Sequence, residues 1–570
     1  MADAAADFNF VGPSYQAPVV LQDAENLINW YLEVAQSHGA KVPIALLGCP
    51  GLKQFAQLTS SAQVRGAWVL PGGNQCLWVS GNACWLMTIT VPASQTSIAQ
   101  VSVTQVGTLL TNSGPVCIRD NGVLTNGQGG YALIVDGANA YYYSIAGATT
   151  FAFTGSVASG STTITLPGIL PPGLIMSTSA TLTDAAGAIP ASTYIASVNF
   201  NTPSIAMSAG GTANAASETI TLHIPQFGQL SDPGFLGADR ILFIEGWLLL
   251  NQPGTRTFYT TGPTPYTLMF PGSFFALKDS STDNLITLME NNREAWLVGE
   301  RTSEVWFNAG GQNFAFQRVP GVGPQIGCSA KHSIARLGPS LFWLAKNEQG
   351  ENIVVMTAQY GWEKVSVHGV EHAISSYPLV SDAIGYAYEE EGHAFYVLTF
   401  PTADVTWCLD LTATRKYGEP VWHQRLSYTS TTGIFHRHRS NCFADFANLR
   451  LVGDYQTGQV HQMSRQFYTD AGAVLKCQRR TPHVWNKDSR KRVFLSRLQI
   501  EFTPGVGLQI GQGTDPQAML RWSSDGGFTW SNEHWASIGK VGYTKNRAVW
   551  NRLGQAWDTV FEVNFTDPVQ

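Results

Sequence analysis

The sequence predicts an all-β protein, a β-propeller-like hub carrying an inserted small β domain and a C-terminal β region. Three observations predict it. Short apolar runs bounded by Gly, Asn and Asp turns recur from Ala67 to the C-terminus. The composition couples 56 glycines with 28 Phe, 19 Tyr and 17 Trp, residues suited to tight turns and to half-buried pleated surfaces. Helical patterning is confined to two short stretches, 22–35 and 372–377. No strict period marks the blades, so an array of β-sandwiches is the competing architecture.

Taken in order, residues 1–152 are expected to form the N-terminal part of the hub. Their runs begin at Ala67, Cys76 and Ala132, before turns at Pro71, Ser80 and Asp136. Residues 153–225 differ in composition. No Lys or Arg occurs between Arg119 and Arg240, and Asp184 and Glu218 are the only charges in this block. It is rich in Ser, Thr, Ala and Gly, yet apolar residues alternate cleanly around Ile164, Leu182, Ile195, Ile205 and Ile220. A linker needs no such alternation, so an inserted β domain is expected. Residues 226–477 resume the hub. Ile241–Leu250 is the most apolar run, and Glu245-Gly246 at its middle reads as a turn between two strands. Further runs at Glu294, Glu304, Leu341, His393 and Val405 continue the meander. Residues 478–570 form the C-terminal β region.

Charge narrows the function classes. The chain carries a net charge of −6 and only 13% charged residues, unlike a general nucleic-acid binder. Low surface charge in a large chain also suits a surface covered by partners. Residues 478–570 hold 12 Lys/Arg against 8 Asp/Glu, a net of +4, which leaves −10 on the remainder. The eight cysteines are scattered without a C-x-x-C pair and read as reduced, buried thiols. The first residues lack a basic and apolar leader, and no run of 18 apolar residues exists, so a cytoplasm-made chain without a membrane anchor is expected.

Catalytic and metal motifs are weak. His436 and His438 share a strand face, but Arg437 and Arg439 beside them would repel a cation. Gly321–Gly327 has a superficial dinucleotide pattern that Pro324 and the lack of a helix turn into a loop. No G-x-S-x-G or Walker motif is present, and neither catalytic residue, cofactor nor metal is expected. One motif is sharp. Ser523, Asp525, Gly527, Thr529 and Trp530 fit the Asp-box pattern S-x-D-x-G-x-T-W, a hairpin staple in which the carboxylate accepts hydrogen bonds within the turn. A single box is structural. A basic cluster, Arg479, Arg480, Lys487, Arg490, Lys491, Arg492 and Arg497, is the candidate surface for an acidic partner or for phosphates. A solvated hairpin with a few ion pairs is the plainer reading.

Several segments, in order, resemble the packaged-DNA stabilization proteins of short-tailed bacteriophages, the tail hub or nozzle family. They are Asp23–Val34, Leu47–Lys53, Glu304–Gly311, Arg318–Cys328 and Leu520–Glu533, continuing through Arg547–Gly554 and Val560–Val563. The 153–225 block interrupts the likeness and is similar to a module common in phage tail and capsid decorations. The resemblance implies a structural protein of the virion tail, made in the host cytoplasm. It implies a homo-oligomeric ring of six copies below the portal and head-to-tail adaptor, holding packaged DNA that later passes through the lumen without being read. It also implies docking of fibres, spikes or a needle. The alternatives are a carbohydrate-binding tail-fibre component and a sialidase-like glycan hydrolase. Against the hydrolase stand the single Asp-box and the lack of an identifiable arginine triad.

Overall fold

The computed structural model describes residues 10–37, 39–59, 61–91, 100–122, 130–262, 268–311, 314–487 and 490–569. Among them the chain is almost wholly antiparallel sheet with two short helices, His368–Ser375 and Leu411–Tyr417. The short 22–35 helix expected from the sequence is instead a pair of strands, Ala24–Ile28 and Trp30–Val34. Leu27, Ile28, Trp30, Tyr31 and Leu32 are all buried, so the run needs two covered faces, which a helix with one apolar stripe does not offer. Asn29 breaks it with a left-handed backbone, φ 56°.

Seven sheets form the propeller among the described residues. Blade 1 spans 64–108 and blade 2 spans 117–144 with Phe227–Gln229 as its outer strand. Blades 3, 4 and 5 span 241–277, 285–318 and 327–364. Blade 6 spans 384–424, and blade 7 joins 440–464 to Gly51–Gln57. Each blade arises because a short strand with aromatic and β-branched residues buries both faces against its neighbours, as Glu294–Gly299 does through Trp296, Leu297 and Val298. The turn at Glu245 and Gly246 falls where the sequence predicts it. Both residues have positive φ, 49° and 92°, as a two-residue hairpin demands.

Two features close the ring. The outer strand of blade 7 comes from the N-terminal side, Gly51–Gln57 pairing with Gln459–Ser464 before the chain enters blade 1. The innermost strand of blade 7, Ser440–Phe446, packs against Val64–Val69 of blade 1. Closure therefore fastens the last blade with the first part of the chain.

The inserted sheet runs from Thr149 to Ile224 and interrupts blade 2 between its third and outer strands. Thr149–Val157 and Ala215–Ile224 form its long central pair. Ile164, Leu182, Ile195, Ile205, Ile220 and Leu222 point inward, and this core is continuous with Tyr142 and Leu133 of blade 2 and Ile241 of blade 3. The insert is thereby anchored on two blades.

Residues 477–569 fold as a sandwich. One layer orders Cys477–Arg480, Asp558–Phe565, Gln517–Ser523 and His534–Ser537, and the other pairs Val493–Ile500 with Ala548–Ala556. Leu498, Leu520, Trp550, Phe561 and Val563 fill the space between. Residues 10–34 do not belong to the hub alone, contrary to the division drawn from sequence. Strand Ala24–Ile28 pairs in parallel with Val421–Gln424 of blade 6 and antiparallel with Cys477–Arg480 of the sandwich. One 11-stranded sheet thus runs from the propeller into the sandwich.

Two polar nodes lock this junction. Asn29 is fully buried. Its side-chain amide donates to Leu426 O and Lys476 O, both at 2.7 Å, and its Oδ1 accepts from Leu426 N at 2.9 Å. Its own N–H donates to Gln424 O, and its carbonyl accepts from Cys49 N. The second node is His393 of blade 6, whose Nδ1 lies 2.6 Å from Asp410 Oδ2 and whose Nε2 meets Glu33. Asp410 also caps the helix Leu411–Tyr417 by accepting from Ala413 N. Burial opposes a charged ring at His393, but the carboxylates of Asp410 and Glu33 override it and raise its pKa above the ordinary value.

Replacing Asn29 by Ala orphans two buried backbone groups of Leu426 and the half-buried carbonyl of Lys476, and keeps a left-handed backbone without its favoured side chain. It should cost about 2–4 kcal/mol, read as a lowered urea midpoint. His393 gains its charged partners on folding, so its contribution is fully present below its unfolded pKa and fades as pH rises through the raised folded value. A His393→Gln variant should lose stability in acid and approach the wild type in alkali, as thermal melts across pH will reveal.

Candidate docking site on the C-terminal sandwich

The Asp-box forms the connection between strands Gln517–Ser523 and His534–Ser537. Asp525 is the hub of the turn. Its carboxylate accepts from Ser523 Oγ at 2.6 Å, Thr529 Oγ1 at 2.6 Å, Thr529 N at 2.9 Å and Phe528 N at 3.1 Å. Ser523 Oγ in turn accepts from Gly527 N at 2.7 Å. Gly526 and Gly527 have φ 75° and 106°, open to glycine and costly for other residues. The hydroxyls of Ser523 and Thr529 and the backbone donors hold the Asp525 carboxyl well below the usual carboxylate range.

Trp530 connects this staple to an ionic clamp. Its ring lies 4.9 Å from the Arg480 guanidinium and 5.0 Å from that of Arg521. Both arginines donate to Glu562, Arg480 at 2.9 Å and Arg521 at 2.6 Å. Glu562 is fully buried. Burial alone would raise its pKa, yet the charges and hydrogen bonds of Arg521 and Arg480 pull it below the ordinary value. Glu562 and Arg521 are absent from the sequence-derived site. The available signal is a lone acid in the apolar run Val560–Val563.

The basic cluster divides according to strand alternation. Arg479 is fully buried and turns to the opposite face from Arg480, where it donates to Phe10 O, Pro13 O and Glu25 Oε2 at 2.5–3.0 Å. A buried, paired guanidinium cannot meet a partner, so Arg479 leaves the candidate surface, and Arg480 is committed to Glu562 and Trp530. Lys487, Arg490, Lys491, Arg492 and Arg497 are exposed. Arg492 lies 4.0 Å over the ring of Trp557, and Arg497 donates to Gln499 Oε1. Residues 488–489 fall outside the described residues.

Exposed aromatic rings border these cations. Strand pairing sets Trp485 opposite Asp558, Val493 opposite Ala556 and Phe494 opposite Gln555, which places Trp485, Phe494 and Trp557 along one edge with Arg490–Arg492. Their exposures, 41%, 75% and 61%, are large for aromatic side chains and mark an edge suited to contact. Elsewhere, His436 Nδ1 meets Asp404 and His438 Nδ1 meets Ser440. Among the described residues no group of three or more His, Cys, Asp or Glu is placed to hold a metal ion. All eight cysteines are free thiols, and among the described residues no helix is long and apolar enough to cross a membrane.

Replacing Asp525 by Ala should abolish hydrogen-exchange protection at the Phe528 and Thr529 amides while leaving the sandwich strands protected. Replacing Glu562 by Gln leaves two guanidiniums over a neutral buried group and should destabilise the sandwich by about 3 kcal/mol, measured by denaturant unfolding.

Comparison with known proteins follows the same division. A family model described as bacteriophage P22 Gp10, β-propeller, matches residues 124–468, and a second, bacteriophage P22 Gp10, β-sandwich, matches residues 476–570. No curated protein matches the chain. Solved structures with some likeness include a humanized mutant of the Chaetomium thermophilum Polycomb Repressive Complex 2, at 8% identity over 73% of this chain and 97% of that one, TM-score 0.35. Kluyveromyces lactis Hsv2 shares 8% identity over 66% and 96%, and the phage phi92 endosialidase 12% over 80% and 67%, each with a TM-score of 0.24. At such scores these likenesses carry no functional weight. The paired family matches, over a propeller and the sandwich that follows it, make this chain a member of the bacteriophage P22 Gp10 family of tail-hub, packaged-DNA stabilisation proteins, structural components of the virion tail.

Proposed function

We propose that the chain is one subunit of a six-membered ring that extends the portal and adaptor column of a short-tailed phage. In this reading the ring helps retain packaged DNA, forms the passage through which it is ejected, and carries fibres, spikes or a needle. The observation that carries the proposal is the match to both family models in their expected order over 124–468 and 476–570. The single sheet that joins propeller to sandwich supports it, because a tail segment under internal pressure needs subunits whose domains do not swivel.

Heterologous contacts between neighbours close such a ring by rotational symmetry. The acidic balance of residues 1–477 would repel the DNA backbone and let it slide. The exposed edge of Arg490, Lys491, Arg492, Phe494 and Trp557 suits an acidic adaptor surface. Arginine and aromatic residues are enriched where proteins dock, and opposite charge steers the encounter. The insert at 149–224 projects from blades 2 and 3 and is assigned to outer attachments.

Negative-stain imaging of the purified protein with its own phage heads, bearing the adaptor but no hub, tests the proposal. Six-fold rings capping one vertex are expected, and monomers that never bind that vertex would contradict it. Charge reversal at Arg490, Lys491 and Arg492 should leave the fold intact and reduce incorporation into tails, scored by quantitative gel analysis. Normal incorporation would remove the docking role from this edge.

A further inference from the structure

Residues from all seven blades, on or just before their innermost strands, wall a cavity of about 350 Å³ on the propeller axis. Its lining is cationic. Arg65, Arg119, Arg240 and Arg336 make it so, with His332 beside them, and no Asp or Glu is among the described lining residues. Two of these cations are already satisfied. Arg65 is buried and makes five hydrogen bonds to Gly81, Thr111, Ser113 and Gly114, and Arg336 pairs with Glu290 at 2.6 Å.

Arg119 and Arg240 are different. Arg119 stacks 4.1 Å over Trp68 and donates to the carbonyl of Ile118, while Arg240 donates to Ile334 O at 3.2 Å. Among the described residues neither forms an ion pair. The acids next to them in sequence are committed elsewhere: Asp120 accepts from Trp68 Nε1 and Gly122 N, and Asp239 pairs with Lys331 at 2.7 Å. The two guanidiniums come from adjacent blades held together where Ile241 N donates to Cys117 Sγ. Burial and the charge of Arg240 both push the Arg119 pKa down. Burial, with Arg240 and Lys331, also pushes His332 well below its ordinary value, leaving a neutral ring that offers an N–H without adding charge.

Arg119 and Arg240 are both half-buried, and each guanidinium presents a planar fork of donors that fits an oxyanion. We infer that the axial cavity of the propeller binds a small oxyanion of the phosphate class, clamped between Arg119 and Arg240 with His332 as a third donor. Trp68 preorganises the Arg119 fork by stacking, so less side-chain freedom is lost on binding. The volume suits inorganic phosphate or a small phosphate ester and excludes a DNA duplex, so the anion is a free one and not the backbone of the packaged genome.

Isothermal titration of the full-length protein with inorganic phosphate, in chloride buffer of matched ionic strength, tests this. Saturable binding near one phosphate per chain is expected, with a matching rise in melting temperature that added chloride does not reproduce. Arg119→Gln and Arg240→Gln should each weaken binding by about tenfold or more while retaining the β circular-dichroism spectrum. A short oligonucleotide should not displace phosphate. Absence of saturable heat with the wild-type protein would overturn the inference. So would unchanged affinity in both variants, or displacement by the oligonucleotide, which would reassign the site to nucleic acid.

Discussion

Asn29 sits where three stretches of chain far apart in sequence meet, and its hydrogen bonds are the constraint on which the rest of the molecule depends. Its amide and backbone reach Gln424 and Leu426 at the end of blade 6, Lys476 at the start of the sandwich, and Cys49 just before the strand that closes blade 7. A propeller and a sandwich can each fold on local hairpins, but nothing in such hairpins fixes how the two sit together. The strand before Asn29 does, by adding itself between Val421–Gln424 and Cys477–Arg480. Arg479 reinforces the same seam from the sandwich side by gathering Phe10, Pro13 and Glu25. His393, with Asp410 and Glu33, reinforces it from the propeller side.

Most of the β architecture was legible in the sequence because its signals are local. The Glu245-Gly246 turn, the alternating Ser/Thr-rich block and the Asp-box each carry their geometry within a few residues. What was illegible depends on distance in sequence. The stretch 22–35 has helical spacing on one face, and only the presence of blade 6 on one side and the sandwich on the other turns it into two strands. The helix Leu411–Tyr417 was missed because seven residues give too short a period, although Asp410 before it and Gly418 after it are ordinary cap residues. In the basic cluster, composition could not separate Arg479 from Arg490. Strand alternation in Cys477–Arg480 and a buried Glu562 some eighty residues away decide which arginines are internal and which remain at the surface.

The division of charge follows a physical logic. The sandwich keeps its interior cations paired, around Glu562 and Glu25, and leaves at its edge those that can meet another surface. The propeller does the reverse on its axis, where Arg119 and Arg240 face a cavity with no acid among its described lining residues. Rigidity comes from the continuous sheet and the closed ring of blades.

The central claim is that propeller and sandwich are one rigid unit joined by the N-terminal strand and not merely by the covalent link near residue 475. A protease site inserted after Gly472, the exposed residue of the Ala471-Gly472 turn, tests it by cutting that link. After cleavage and gel filtration under native conditions, the two fragments should elute together as a single particle of unchanged size. Elution of the C-terminal fragment on its own would contradict the account.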